Sequence, residues 1–182
     1  MLRRLGTLPV LAVSGTVMAV MHGAIYIFFL PATGGTLLDF ALTGQTAADA
    51  LAALKARPNA VGIHLYLSAG VDMVYAAAYG IFVAGLCFRY GGAGGGWFAL
   101  PIASAALCDL AENTVQVIAL AGDPDVLWLK GLLTPAKFAL AAIGSALAIW
   151  LWARTTFGRR PLDPFFHFPG SPKPGKDRAK SL

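Results

Sequence analysis

Charged residues are scarce in this sequence, since Asp, Glu, Lys and Arg together make up 13% of its 182 residues. Soluble domains carry about twice that share, and disordered chains combine high charge with few apolar residues. Here 57% of the residues are hydrophobic. The shortage of charge therefore excludes an ordinary soluble domain and a wholly disordered chain, and it indicates a protein of the membrane.

Cysteine and histidine are also rare, with two and three residues respectively. Cys87 and Cys108 fall at different depths of two predicted membrane spans, which excludes a disulfide bond between them. Their spacing fits no metal or redox motif, so we predict no metal site and name no cofactor. Only His22 and His64, on adjacent spans, leave joint ligation of a metal or haem open. Hydrogen bonds between the helices are the alternative.

Four long apolar runs organise the chain. A hydrocarbon core about 30 Å thick needs about 20 mainly apolar residues in one helix, and such runs cover residues 9–30, 60–88, 97–121 and 131–152. The backbone in lipid must satisfy its own hydrogen bonds, and the runs lack the alternation of barrel strands, so each is predicted to be a helix. Residues 1–154 are thus predicted to form an all-α, polytopic four-helix membrane bundle.

Lysine and arginine flank the predicted spans unevenly. One side of the membrane receives Arg3, Arg4, Arg89, Arg154, Arg159 and Arg160, and the other receives only Lys55, Arg57 and Lys130. Basic flanks face the cytoplasm, so we predict a multi-pass protein of the cell (inner) membrane with both termini cytoplasmic. The net charge of +5 suits anionic lipid headgroups, and the lipid bilayer rather than nucleic acid is the predicted partner.

Two segments lie outside the predicted spans. The external loop, residues 31–59, contains a short amphipathic helix that is predicted from Thr46, with an N-terminal cap, to Lys55. This helix is expected either to lie at the outer membrane interface or to cap the bundle. Residues 155–182 are rich in proline and basic residues, which predicts a mostly disordered cytoplasmic tail.

Polar and ionisable side chains fall inside the predicted spans, where each is costly unless it faces protein or water. Helical spacing places one set on each span: Ser14, Met18, His22 and Tyr26; then His64, Ser68, Asp72, Tyr75 and Tyr79; then Asp109, Glu112, Asn113 and Gln116; then Thr134 and Lys137. Counted at about 1.5 Å per residue, the ionisable groups lie between the outer half and the midplane. The sequence therefore predicts one polar cavity that opens outward.

The charges of this predicted cavity do not balance. Asp72, Asp109 and Glu112 face one certain cation, Lys137, so full ionisation would leave about two negative charges without a partner. Relief would come from neutral carboxyl groups, protonated histidines, a bound cation or a cationic ligand. Lys137 either pairs with Glu112 or Asp109, or extends its amine to the outer interface.

These residues predict an intramembrane site for a lipidic or other hydrophobic small molecule. Asp109 and Glu112 are predicted to act as an acid–base pair that Asp72 orients. The predicted ligand-binding residues are Asn113, Lys137, Tyr75, Tyr79, His22, His64, Gln116 and Thr134. Two other functions stay open: a proton- or cation-coupled transporter that uses the same carboxyls, and a structural or assembly subunit whose polar residues only fix helix packing. The oligomeric state is not determined.

Three motifs in the last three spans carry a resemblance. They are Asp72-Met-Val-Tyr75 with Tyr79-Gly80, Asp109-Leu-Ala-Glu112-Asn113, and Thr134-Pro-Ala-Lys137. In this combination the chain resembles small bacterial four-helix integral membrane proteins of uncharacterised activity. The resemblance implies a four-helix membrane fold and no activity, so it assigns no role to any residue.

Overall fold

The computed structural model describes residues 2–158, in which the helices are joined by turns and short loops and no strand is present. Its helices are α1 (Leu8–Ala32), α2 (Gly44–Lys55), α3 (Ala60–Tyr90), α4 (Gly95–Ala121) and α5 (Lys130–Phe157), with short 3-10 turns at Leu2–Gly6, Leu38–Phe40, Gly92–Gly94 and Pro124–Leu129. Within these residues α1, α3, α4 and α5 are long and apolar enough to cross a membrane. The predicted all-α bundle with four long apolar helices is confirmed.

The long helices pack in a defined order. α3 packs against α1 on one side and α4 on the other, while α5 packs against α4 and also contacts α3. α1 and α5 make no extensive contact with each other. A cleft therefore separates α1 from α5, with α3 and α4 at its base.

Small residues allow α4 and α5 to approach closely. Gly144 on α5 is buried against Ile102 on α4, and a Cβ atom added at Gly144 would lie 2.7 Å from the Ile102 Cβ and 2.9 Å from its backbone nitrogen. At this end of the bundle, which is predicted to be cytoplasmic, an apolar cluster fills the space between the helices: Ala84, Cys87, Ala99, Ile102, Ala105, Ala148 and Leu151. The bundle is tightly packed where its polar residues end.

Helix α2 covers the opposite end of the bundle. It begins at Gly44, earlier than the predicted start at Thr46, because Thr43 is the N-cap and Thr46 completes a capping box with it. The Thr46 amide donates to Thr43 Oγ1 at 3.1 Å, and the Thr43 amide donates to Thr46 Oγ1 at 3.0 Å. The buried face of α2 joins an apolar cluster made of Leu38, Ala41, Ala47, Leu51, Leu54, Ala60, Ala119, Leu120 and Leu127. The amphipathic helix thus caps the bundle.

The last helix extends further than predicted. α5 continues to Phe157, so residues 155–157 belong to the helix rather than to the tail. Thr155 Oγ1 donates to the Leu151 carbonyl oxygen at 3.0 Å, and the Gly158 amide donates to the Arg154 carbonyl oxygen at 2.9 Å. The rest of the predicted tail, residues 159–182, lies outside the described residues.

Candidate functional site

A cavity of about 390 Å³ lies between α1 and α5. Its polar wall is formed by His22, Asp39, Asp72, Tyr75, Tyr79, Asp109 and Lys137. Most of the remaining lining is apolar, namely Met18, Ile25, Leu37, Val83, Ile102 and Ala141. A concave and mainly apolar site with a few convergent polar groups is the usual form of a small-molecule site.

The mouth of this cavity lies at the side of the bundle. Tyr26 on α1, Phe138 on α5 and Phe40 are 45%, 43% and 52% exposed, although all three line the cavity. The lining residues from α4, Ile102 and Asp109, are buried instead. The exposed part of the lining therefore belongs to α1, α5 and the 3-10 turn at Leu38–Phe40, which indicates an opening bordered by these three elements.

An ion-pair network extends from the cavity wall into the bundle. The ammonium group of Lys137 is 2.9 Å from Asp109 Oδ1 and 2.7 Å from Glu112 Oε2. Lys130 pairs with Glu112 Oε1, and Thr134 Oγ1 donates to the same oxygen at 2.7 Å. Lys137 thus pairs with both acids and does not extend to the interface. Lys130, which the sequence placed at the outer flank, is fully buried.

A directed chain of hydrogen bonds starts in the 3-10 turn at Leu38–Phe40, passes through α3 and α4 and returns to the same turn. The Leu38 amide donates to His64 Nε2 at 2.8 Å, so His64 carries its hydrogen on Nδ1, 3.1 Å from Ser68 Oγ. Ser68 Oγ donates to Gln116 Oε1 at 2.9 Å, and Gln116 Nε2 donates to Asp39 Oδ1 at 2.9 Å. Both nitrogens of His64 are therefore occupied in a neutral ring. His64 neither ligates a metal with His22 nor supplies the missing positive charge in this arrangement.

His64→Leu should increase hydrogen exchange at the Leu38 amide. The change removes the acceptor of a fully buried N–H group, which costs about 1 to 3 kcal/mol and favours local opening of the turn. We expect exchange in a peptide spanning residues 36–42 to accelerate about 10-fold or more, as measured by mass spectrometry. His22→Leu is the matched control, because His22 lines the cavity without contacting this amide. Equal exchange in the two variants would contradict the assignment of His64 as the acceptor of the Leu38 N–H group.

The predicted site residues separate into two groups. Asp72, Asp109, Lys137, Tyr75, Tyr79 and His22 line the cavity, whereas Glu112, Asn113, Gln116, His64 and Thr134 are fully buried behind its wall. Glu112 is thus a shared acceptor for two lysines, and it does not face the cavity as the predicted partner of Asp109.

In the first span Met18, His22 and Tyr26 line the cavity, while Ser14 Oγ donates to the Val10 carbonyl oxygen at 2.7 Å.

A π-helical turn in α3 explains part of this separation. The residues predicted to share one face of α3 lie on both sides of the π-helical turn at Leu67–Val71. A π turn inserts one extra residue, so the side chains that follow it point in a different direction from those before it. Ser68 consequently bonds to Gln116 on α4 and His64 to Leu38 and Ser68, while Asp72 and Tyr75 face the cavity. A second π-helical turn, Ile25–Phe29, lies in α1 beside the cavity.

Sequence reasoning missed two residues of the site, Asp39 and Lys130. Asp39 belongs to the external loop, yet it lines the cavity and accepts the Gln116 hydrogen bond. The available sequence signal was a lone carboxyl between the apolar pair Leu37-Leu38 and Phe40. Lys130 stands at the start of an apolar run, where a membrane-flanking role is the usual expectation.

Two carboxyl groups on the cavity wall have no cationic partner. Among the described residues, the ion pairs of this site join Lys130 and Lys137 to Glu112 and Asp109, so two cations match two acids. Asp39 and Asp72 are left over, and both line the cavity. Asp72 Oδ2 is buried without a hydrogen bond, and the amide of nearby Asn113 is buried without one as well.

The surroundings of Asp39 favour its ionised form. Burial raises the pKa of Asp39, but the ammonium groups of Lys137 and Lys130 and the Gln116 hydrogen bond lower it, and the pKa lies below its ordinary value of 3.8. Because the pKa of Asp39 is lower in the folded protein than in the unfolded chain, the ionised carboxylate stabilises the fold. This stability is lost as the pH falls from 3.8 through the folded-state pKa. Asp39 is therefore charged at neutral pH.

Aromatic rings continue the polar wall from α1 to α3. The ring of His22 lies 4.8 Å from that of Tyr26 and 5.7 Å from that of Tyr75, measured between centroids. Tyr75 and Tyr79 lie 5.4 Å apart. Three of these rings, those of His22, Tyr75 and Tyr79, therefore stand beside the unpaired carboxyl groups in one cavity.

Comparison with protein-family models, curated proteins and solved structures found no match to this chain. The class of the protein is therefore defined by its fold and its cavity alone: a bundle of four helices that are long and apolar enough to cross a membrane, with an acidic cavity at its side. The resemblance to small bacterial four-helix membrane proteins stays a prediction.

Proposed function

We propose that this chain is an integral protein of the cell (inner) membrane that binds a lipidic or other hydrophobic small molecule in the cavity between α1 and α5. The main support for this proposal is that the cavity opens at the side of the bundle. When the four long helices span a bilayer, a mouth at the side of the bundle faces hydrocarbon rather than water. Its exposed rim, Tyr26 and Phe138, is apolar except for one hydroxyl. A ligand would then enter from the lipid and place its polar group against Asp72 and Asp109.

The proposed orientation keeps both termini in the cytoplasm. With Lys130 withdrawn into the ion-pair network, the outer side keeps only Lys55 and Arg57 as basic flanks, so the asymmetry of charge is larger than the sequence suggested. In this orientation α2 covers the outer end of the bundle. The polar network lies beneath α2, in the outer half of the proposed membrane region.

Acid–base chemistry on the bound molecule is the second candidate function. It is favoured by the different partners of two carboxyl groups on one wall. Asp109 is held beside Lys137 at 2.9 Å, whereas Asp72 Oδ2 has no hydrogen bond. Carboxyl groups in such different environments divide into an acid and a base. Asp72 therefore replaces Glu112 as the proposed partner of Asp109.

The two remaining functions receive less support. A transporter needs a path across the bundle, but the cavity ends at Val83 and Ile102, where the apolar cluster begins. A purely structural role suits Glu112, whose carboxyl is shared by Lys130, Thr134 and Lys137. It does not account for Asp72 and Asp39, which pair with no lysine or arginine in the described part of the chain.

Filling the cavity should abolish binding. Ala141 lines the cavity and is partly buried, whereas its neighbour Ala142 is exposed. We expect native mass spectra of the protein in a mild detergent to show a co-purified lipidic adduct on the wild type and on Ala142→Phe. Ala141→Phe should lose most of it, because the added ring occupies the ligand volume. Unfolding temperatures of both variants control for misfolding. If both variants are folded and carry the same amount of adduct, the proposal is contradicted.

A further inference from the structure

The unpaired carboxyl groups limit what the cavity can bind. Asp39 and Asp72 line it, and the lysines nearest to them are already shared by Asp109 and Glu112. Asp72 is only 7% exposed, and its Oδ2 atom is buried without a hydrogen-bond partner. An unpaired buried carboxylate is costly, and a ligand that supplies a hydrogen-bond donor and a positive charge removes that cost.

The aromatic residues favour the same kind of ligand. His22, Tyr75 and Tyr79 stand in one wall with the carboxyl groups, and neighbouring rings along this row are 5.4 to 5.7 Å apart. The faces of tyrosine rings attract cations, and aromatic walls are a common means of holding organic ammonium groups. An anionic headgroup would instead meet two carboxyl groups that pair with no lysine or arginine among the described residues.

We infer that the cavity selects cationic amphiphiles, with an organic ammonium group held between Asp72, Asp39 and the tyrosines. This inference rests on the proposed function and names its ligand class. The ammonium group donates to the Asp72 carboxylate at the polar wall. The hydrocarbon chain lies against Met18, Ile25 and Ala141 and leaves through the mouth between α1 and α5, where Tyr26 and Phe138 form the rim.

Equilibrium binding of radiolabelled dodecylamine to the protein in a neutral maltoside detergent tests this selectivity. Dodecanol and dodecanoate compete as neutral and anionic molecules with the same chain length, and Ala141→Phe measures binding to the micelle alone. At neutral pH we expect dodecylamine to bind about 10- to 100-fold more tightly than either competitor, the range expected for a hydrogen bond to a charged group.

Asp72→Asn removes the charge and keeps the shape of the side chain. It should weaken dodecylamine binding by about 10- to 100-fold while leaving dodecanol binding nearly unchanged. Asp39→Asn should weaken the amine in the same direction and serves as a second variant, with the unfolding temperature of each recorded. Asp49→Asn is the control, because Asp49 is an exposed carboxyl on α2 that accepts from Gln45.

The outcomes separate the inference from the proposed function. Tighter binding of dodecylamine that Asp72→Asn reduces supports both. If dodecanol or dodecanoate binds as tightly as the amine and only Ala141→Phe abolishes binding, the cavity is a ligand site but its selectivity for cations is overturned. If none of the three molecules binds the wild type better than Ala141→Phe, both the inference and the lipidic-ligand proposal are overturned for molecules of this size.

Discussion

Glu112→Gln is expected to lower the free energy of unfolding of the bundle by about 3 to 5 kcal/mol, the usual cost of removing one partner of a buried ion pair. Glu112 accepts from Lys130, which is fully buried, and from Thr134, and it also pairs with Lys137. A neutral amide would leave the Lys130 charge buried without a partner. Denaturant unfolding in detergent, followed by circular dichroism, measures the change.

A double variant tests whether the loss of stability comes from the Lys130 charge that is left without a partner. Glu112→Gln combined with Lys130→Met removes both charges, so most of the lost stability should return, and the double-mutant cycle gives the coupling between the two residues. Asp49→Asn, at an exposed carboxyl, should change stability by no more than about 0.5 kcal/mol. A Glu112→Gln variant as stable as Asp49→Asn would mean that Lys130 is not held by this carboxyl.

Loss of stability in Glu112→Gln would not count against a ligand site. Glu112 does not line the cavity, so its substitution tests the ion-pair network alone. Asp72 faces the cavity and lacks an ionic partner among the described residues. Asp72→Asn is therefore the substitution that should affect binding while sparing the fold.

Gly144→Val should destabilise the bundle by about 3 kcal/mol, the upper end of the usual cost of overpacking. A Cβ atom at this position would lie 2.7 Å from Ile102 Cβ and 3.0 Å from its Cα. Because two of the nearest atoms belong to the backbone of α4, no rotamer change relieves the clash, and α5 must move away from α4. The unfolding midpoint in detergent measures the loss.

Gly23→Val is the matched control for this substitution. Gly23 lies in α1, and a Cβ atom added there meets no other atom within 4 Å. The same change should therefore alter stability by no more than about 0.5 kcal/mol. Similar midpoints for the two variants would contradict the close approach of α4 and α5.

The sequence predicted the helical architecture well because it depends on local and periodic features. Runs of apolar residues long enough to cross a bilayer indicate helices wherever they occur, and the four long apolar helices are present. The helical spacing of Asp109, Glu112 and Gln116 placed them on one buried face of α4, and all three are buried. Periodicity alone is sufficient for these features.

The arrangement of the site was less predictable. The π-helical turn Leu67–Val71 divides a stripe that regular spacing would keep continuous. Asp39 reaches the cavity because the Leu38 amide bonds to His64, a partner 26 residues further along the chain. Neither effect leaves a pattern within one window of sequence.

The sequence by itself determined that this protein has four long apolar helices and that carboxyl groups fall within them, because both properties follow from residue type and helical period. Only the tertiary structure decided which carboxyl groups are paired and which are free. Lys130 and Lys137 converge on Glu112 and Asp109, and Asp39 and Asp72 are left facing the cavity. Pairing depends on distances between helices and on the folded loop, and spacing along a single chain does not fix either one.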